Sequence, residues 1–256
     1  MKESFITEAE KHTEIAGKYD VIVAGSGPSG FAAAVTAAGN GAKTLIIEAQ
    51  SGVGGISTGG LMSHFTGRVD SRLYSEILER SHKQDFFKCD DKVRIDPELL
   101  KNTYLEMLQA AGVDILLYTL VCDVIKNGDR VCGVITENKS GRRAYLADAL
   151  IDATGDGDLA YRAGAEYFKG RESDGKMQPA TLMFKVGGVD MSRAVFPPSF
   201  ETTVETDKGE LQALAKKLLP YPAGHVLLYA STIPGIVTCN MTNCTEIDGT
   251  KAEDLT

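Results

Sequence analysis

Residues 19–55 constrain this chain more than any other stretch. They open with Tyr19-Asp-Val-Ile-Val-Ala24, a short apolar run with β-branched residues. That is the pattern of a strand buried on both faces of a parallel sheet. Gly25-Ser26-Gly27-Pro28-Ser29-Gly30 follows directly, then Phe31-Ala-Ala-Ala-Val-Thr-Ala-Ala38, a run of strong helix formers. Lys43-Thr-Leu-Ile-Ile-Glu48 reads as a second buried strand that ends in an acid. Strand, glycine turn, helix, strand and acid in this order make one βαβ unit.

The order has a chemical reading. Gly25 permits the tight turn out of the strand, Gly27 leaves room for a pyrophosphate against the backbone, and Gly30 lets the helix pack on the strand. The helix start offers unpaired N–H groups and a positive dipole end to phosphates. Glu48 lies 18 residues beyond Gly30, close to the spacing of about 20 expected for the acid that meets the ribose. A carboxylate there can accept both hydroxyl hydrogens of an adenosine ribose and repels a 2′-phosphate. The alternative, a glycine-rich turn in an unrelated α/β protein, does not require the flanking strand, helix and acid. The hexad alone does not separate NAD from FAD.

Two further motifs bear on that choice. Gly54-Gly55 follows the acid, and Ala153-Thr154-Gly155-Asp156 comes much later. With them the chain resembles the FAD-dependent oxidoreductases of the glutathione-reductase-like flavoprotein class. It is most similar to the bacterial FAD-dependent oxidoreductases that carry Gly-Gly-x-x-Thr after the acid and Asp-Pro-Glu before a helix. Here these are Gly54-Gly55-Ile-Ser-Thr58 and Asp96-Pro97-Glu98. The resemblance implies that residues Gly25, Ser26, Gly27, Pro28, Ser29 and Gly30 hold the pyrophosphate of FAD. It implies that Glu48, with Ala49, meets the adenosine ribose, and that Gly54, Gly55 and Thr58 run along the pyrophosphate and ribityl side. Val121 matches a residue whose backbone meets the adenine, and Thr154, Gly155 and Asp156 match the segment that closes over the dinucleotide. For Val121 an ordinary strand position is the alternative. For Asp156 and Asp158 it is helix capping in a Gly-Asp-Gly-Asp turn.

Composition narrows the function classes. The chain has 256 residues, enough for one large domain or two small ones. A net charge of −8 argues against nucleic acid and anionic membrane surfaces as partners. The first residues are mixed in charge, unlike a secretory signal, and no apolar run approaches the ~18 residues of a membrane span. Cys89, Cys122, Cys132, Cys239 and Cys244 are odd in number with no C-x-x-C pair, which reads as reduced thiols in a cytoplasmic protein. His12, His82 and His225 belong to no standard metal-ligand motif, so no metal is expected. Asp90-Asp91 reads as a solvated turn, and no Cys/His pattern points to a hydrolase.

Along the chain, residues 1–18 read as a polar lead-in with room for a short helix. Residues 19–170 read as a Rossmann-like FAD-binding domain, and 171–256 as the start of an α+β substrate domain. Residues 50–70 form a long Gly/Ser/Thr-rich loop, and 71–83 have helical periodicity. Asp96 and Pro97 mark the start of a helix that Gly112 ends. Residues 113–117 read as a short buried strand. Asn127-Gly128 and Ser140-Gly141 punctuate alternating runs, which predicts a three-stranded antiparallel meander inserted in the parallel sheet. Its last strand leads into a parallel strand over 149–154. Beyond Gly170, residues 181–186 and 235–241 read as strands and 210–219 as a helix.

The expected activity is transfer of hydride or electrons between a small organic substrate and bound FAD. The electron acceptor is unknown. His64, in Thr58-Gly-Gly-Leu-Met-Ser-His64-Phe-Thr-Gly67, is the catalytic candidate, because the resemblance runs this loop near the flavin ring and a histidine can move a proton. A packing role is the plainer reading, and the sequence around His64 departs from the family pattern. Rival readings are an NAD-dependent dehydrogenase and a non-catalytic module that binds an adenine dinucleotide. The sequence at 240–256 resembles a strand and helix start at mid-chain of the family, which implies a truncated or fragmentary protein.

Overall fold

The computed structural model describes residues 6–62, 64–65, 69–81, 93–199 and 201–256. The expectations for His82, Cys89 and Asp90-Asp91, and for residues 82–83 of the predicted helix, lie outside the described residues. The element order begins with β1 (Glu14–Ala24), α1 (Pro28–Gly39), β2 (Thr44–Ile47), β3 (His64–Phe65), α2 (Arg72–Ser81), β4 (Val93–Arg94), α3 (Pro97–Ala110) and β5 (Asp114–Leu116). It continues with β6 (Leu120–Asn127), β7 (Arg130–Asn138), β8 (Gly141–Asp152) and α4 (Asp158–Ala163). One six-stranded sheet runs β5-β2-β1-β8-β7-β6. Its first four strands are mutually parallel, and β8-β7-β6 is the antiparallel meander. The fold is thus α/β and Rossmann-like, with the expected meander.

Two features differ from the sequence reading. β1 begins at Glu14, inside the stretch expected to be a lead-in with a short helix. Its first half is mostly exposed and carries no apolar run, so local pattern does not reveal it. The partner does: Glu14 pairs with Arg143 and the ladder continues to Ala24 and Asp152, with a bulge between Ile15 and Gly17. Secondly, the meander's last strand and the parallel strand after it are one element. β8 pairs with β7 over its first half and with β1 over nearly its whole length.

Alternation along the strands feeds two cores. Val23 and Ile46 join Phe31 of α1 and Leu100, Tyr104 and Leu108 of α3 in one. Ile22, Ala24, Leu45 and Ile47 join Val121, Val134 and Tyr145 in the other. The Phe31 and Tyr104 rings stack with centroids 3.9 Å apart, and burial pushes the Tyr104 phenol up to about 12. α3 starts as the sequence predicts. The Asp96 carboxylate accepts from the Glu98 and Leu99 N–H groups, Pro97 takes the first helical position, and Gly112 lies beyond the end at φ +75.

Beyond α4 come β9 (Phe184–Val186), β10 (Glu205–Thr206), β11 (Gly209–Glu210), α5 (Leu211–Leu218), β12 (Leu228–Ala230) and β13 (Val237–Cys239). β12-β13-β9 form a small antiparallel sheet. The strands are shorter than predicted, and residues 252–255 form a 3-10 turn. The Gln212 side chain ties α5 to the chain before β12: its amide donates to the Val226 carbonyl, and its oxygen accepts from the Val226 N–H. Cys122, Cys132, Cys239 and Cys244 are free thiols, and burial pushes the Cys239 thiol up.

Candidate dinucleotide site

Parallel strands β1, β2 and β8 end side by side, at Ala24, Ile47 and Asp152. β2 and β5 lie on one side of β1 and β8 on the other, so the connections diverge at this edge. A crevice at such a switch point is where doubly wound sheets bind ligands. Here it is a cleft of about 460 Å³. The expected site residues Gly25, Gly27, Pro28, Ser29, Glu48, Ala49, Gly55, Val121, Thr154 and Gly155 line it. So do Ile56, Thr119, Leu120 and Asp158, to which the sequence reading gave no contact. Ser26, Gly30, Gly54, Thr58, Asp156 and His64 are not part of the lining.

The hexad glycines divide between folding and binding. Gly25 sits at φ +89, and a Cβ there would lie 2.5 Å from the Ala153 carbonyl oxygen. A Cβ on Gly30 would overlap the Gly25 carbonyl oxygen, whereas one on Gly27 would meet nothing within 4 Å. Gly27 is therefore bare on its open side, which suits close approach of a phosphate. Pro28 begins α1 with Gly27 as an N-cap that has no side chain, and the first intrahelical bond is Phe31 N–H to the Gly27 carbonyl at 2.9 Å. The Ser29 and Gly30 N–H groups precede that bond and are the ones a helix start offers to an anion.

The loop after β2 packs on the hexad. Gly54 donates its N–H to the Ser26 carbonyl at 2.8 Å, and a Cβ on Gly55 would lie 3.0 Å from the Gly27 Cα. Thr58 is buried; its hydroxyl donates to the Val53 carbonyl at 2.6 Å, and its side chain fills the space over Gly54. It braces the loop from behind.

Glu48 is held through both carboxylate oxygens and is only 9% exposed. Its Oε2 accepts from the Ser26 N–H at 2.8 Å and the Ser26 hydroxyl at 2.6 Å. Its Oε1 accepts from the Gln50 N–H at 2.8 Å. The backbone is clamped as well: Glu48 N–H donates to the Leu116 carbonyl, and the Glu48 carbonyl accepts from the Thr119 N–H. The segment that delivers Thr119 turns through Tyr118 at φ +52, a left-handed conformation uncommon for a non-glycine residue.

On the β8 side the organising group is Asp152, which the sequence reading passed over. Its Oδ1 accepts from the Thr154 N–H and hydroxyl, and its Oδ2 from the Ala160 N–H. Thr154 Oγ1 in turn accepts from the Asp158 N–H at 2.8 Å. Thr154 and Asp152 therefore supply the side-chain acceptors at the start of α4, the task the sequence offered to Asp156 and Asp158. The signal was an acid at the end of an apolar strand, hidden by the louder Gly-Asp-Gly-Asp beyond it.

His64 stands elsewhere. It is buried in β3, paired with Arg94 of β4, and its ring lies 4.5 Å from that of Tyr229 in β12. Among the described residues, no group of three or more His, Cys, Asp or Glu side chains is placed to hold a metal ion, and no helix is long and apolar enough to cross a membrane.

Comparison with known proteins agrees with this geometry. A family model described as FAD dependent oxidoreductase matches residues 20–256. The chain is 32% identical over 146 residues to a thiamine thiazole synthase of Methanococcus maripaludis, covering 53% of this chain and 55% of that protein. It is 34% identical over 151 residues to that of Methanococcus vannielii, covering 53% and 56%. The chain thus spans about half the length of these curated relatives. In fold it is similar to a geranylgeranyl bacteriochlorophyll reductase-like protein from Thermoplasma acidophilum, with a TM-score of 0.61 at 19% identity over 88% of this chain and 56% of that one. It is also similar to NikD, an amino acid oxidase, with a TM-score of 0.55 at 15% identity over 90% and 71%. FAD is the cofactor of the matching family. The open side of Gly27, the free start of α1 and the carboxylate of Glu48 fit its phosphates and ribose. With a family model that spans nearly all of its residues, the chain belongs to the FAD-dependent oxidoreductases.

Proposed function

We propose that the cleft at the ends of β1, β2 and β8 holds FAD, and that the protein passes hydride or electrons between a small organic substrate and the flavin. The observation that carries this reading is the convergence of Gly27, Glu48, Gly55 and Thr154-Gly155 on one cleft from four separate segments. Bound FAD supplies the redox chemistry, and the chain's own residues bind and orient it. The Ser29 N–H at the start of α1 takes the pyrophosphate, Glu48 takes the ribose, and the Thr119–Val121 backbone borders the adenine. The hydrophobic strand ends Ala24, Ile47 and Val121 exclude water from the cleft floor. Residues 171–256 are proposed as part of a substrate-facing domain and the protein as cytoplasmic.

The reaction is not carried over from any relative, since a thiazole synthase and a reductase-like protein differ in chemistry. A second reading is a module that binds the dinucleotide without turnover. The test is direct. Purified protein should be yellow and release FAD on denaturation. Release of NAD, or of no nucleotide even after reconstitution with FAD, overturns the cofactor assignment. Turnover with an artificial electron acceptor separates the enzyme from the binding module.

A further inference from the structure

We infer that Ser26 is a positioning residue for Glu48 and makes no phosphate contact of its own. The inference rests on the reading of the cleft as a dinucleotide site. Ser26 is the second residue of the hexad, and its place in the motif suggests a role at the pyrophosphate. Its surroundings suggest another. It is fully buried and absent from the cleft lining. Both of its donors, the backbone N–H at 2.8 Å and the hydroxyl at 2.6 Å, end on one oxygen, Oε2 of Glu48. Its carbonyl accepts from the Gly54 N–H. Ser26 therefore joins the turn after β1, the acid after β2 and the glycine pair of the next loop.

A carboxylate offers roughly four acceptor sites. Three protein donors, two from Ser26 and one from Gln50, already occupy most of them. They fix the rotamer of Glu48 before a ligand arrives. Ribose binding then spends little on ordering the side chain. Most residues at the second hexad position could supply the N–H; the hydroxyl is what Ser26 adds.

The experiment titrates ADP and 2′,3′-dideoxyADP calorimetrically into the 256-residue chain and its Ser26→Ala, Glu48→Gln and double variants. Ser26→Ala should weaken ADP by about tenfold, the loss of one charge-assisted hydrogen bond's worth of orientation. It should leave dideoxyADP within about twofold, because that ligand has no ribose hydroxyl for Glu48 to meet. In the Glu48→Gln background the same substitution should change ADP affinity by less than about twofold. Unchanged ADP affinity in Ser26→Ala, equal weakening of both ligands, or an equal loss with and without the Glu48 carboxylate overturns the positioning role. Failure of the parent to bind ADP overturns the dinucleotide reading itself, and the inference with it.

Discussion

Glu48→Ala should unfold the protein more readily as well as weaken cofactor binding. From sequence alone the acid is a ligand contact, whose removal costs affinity and spares the fold. The structure makes it a structural acceptor too. Removing the carboxylate strands the Ser26 N–H and hydroxyl in a buried site and frees the Gln50 N–H near solvent. A buried donor left unpaired costs about 1–3 kcal/mol. Water can reach Gln50, so two stranded donors set the scale at about 2–6 kcal/mol. Against a total stability of about 5–15 kcal/mol this is a large share. For a chain of this size about 1 kcal/mol shifts the melting midpoint by about 2–4 °C, so the ligand-free variant should melt about 4–24 °C below the parent. Glu48→Gln should fall between, since an amide keeps one acceptor oxygen but brings an N–H group toward a donor. The assay is thermal unfolding followed by circular dichroism without added nucleotide. A Glu48→Ala midpoint within about 2 °C of the parent would refute the reasoning.

Gly30→Ala and Gly27→Ala should separate folding from binding: the first clashes with the Gly25 carbonyl and should give little soluble protein, while the second should melt like the parent and bind FAD at least about tenfold more weakly. Flavin fluorescence and melting curves read both, and a Gly27→Ala protein with parental affinity would refute the phosphate role. His64→Ala should lower the melting point through loss of the Tyr229 contact and leave substrate-driven flavin reduction within several-fold; a stopped-flow loss of about 10²-fold or more would instead assign proton transfer to it. Asp152→Ala removes the acceptor shared by Thr154 and the start of α4. It should weaken FAD binding and speed amide exchange at Ala160 first, and unchanged exchange there would show that Asp152 does not hold that turn.

What the sequence made legible is what local physics dictates. The hexad, the Asp96-Pro97 helix start and the Asn127-Gly128 hairpin each declare themselves within a few residues, and each stands where it was read. Glu48 was placed by its spacing from the hexad and its position at the end of an apolar strand. The rest depends on partners far away in sequence. The first half of β1 is a strand because Arg143 and its neighbours lie beside it. Asp152 earns its role from an N–H eight residues on. Thr58 and Ser26 carry the motif's signature yet turn away from the cleft, and nothing in a one-dimensional pattern says which face of a loop a side chain takes.

The long pairing of β1 with β8 also sets a timetable. Register partners along it are about 130 residues apart, from Glu14 with Arg143 to Ala24 with Asp152. Synthesis at about 5–20 residues per second leaves roughly 6–26 s between the emergence of the two strands. Through that interval the nascent chain can join β1, α1 and β2, but one edge of β1, ending in the apolar Ile22-Val23-Ala24, has no neighbour. Closing so large a loop is slow in its own right. The ribosome-bound intermediate therefore presents an unsatisfied strand edge, a natural client for a chaperone, until the arrival of Asp152 completes both the sheet and the wall of the cleft.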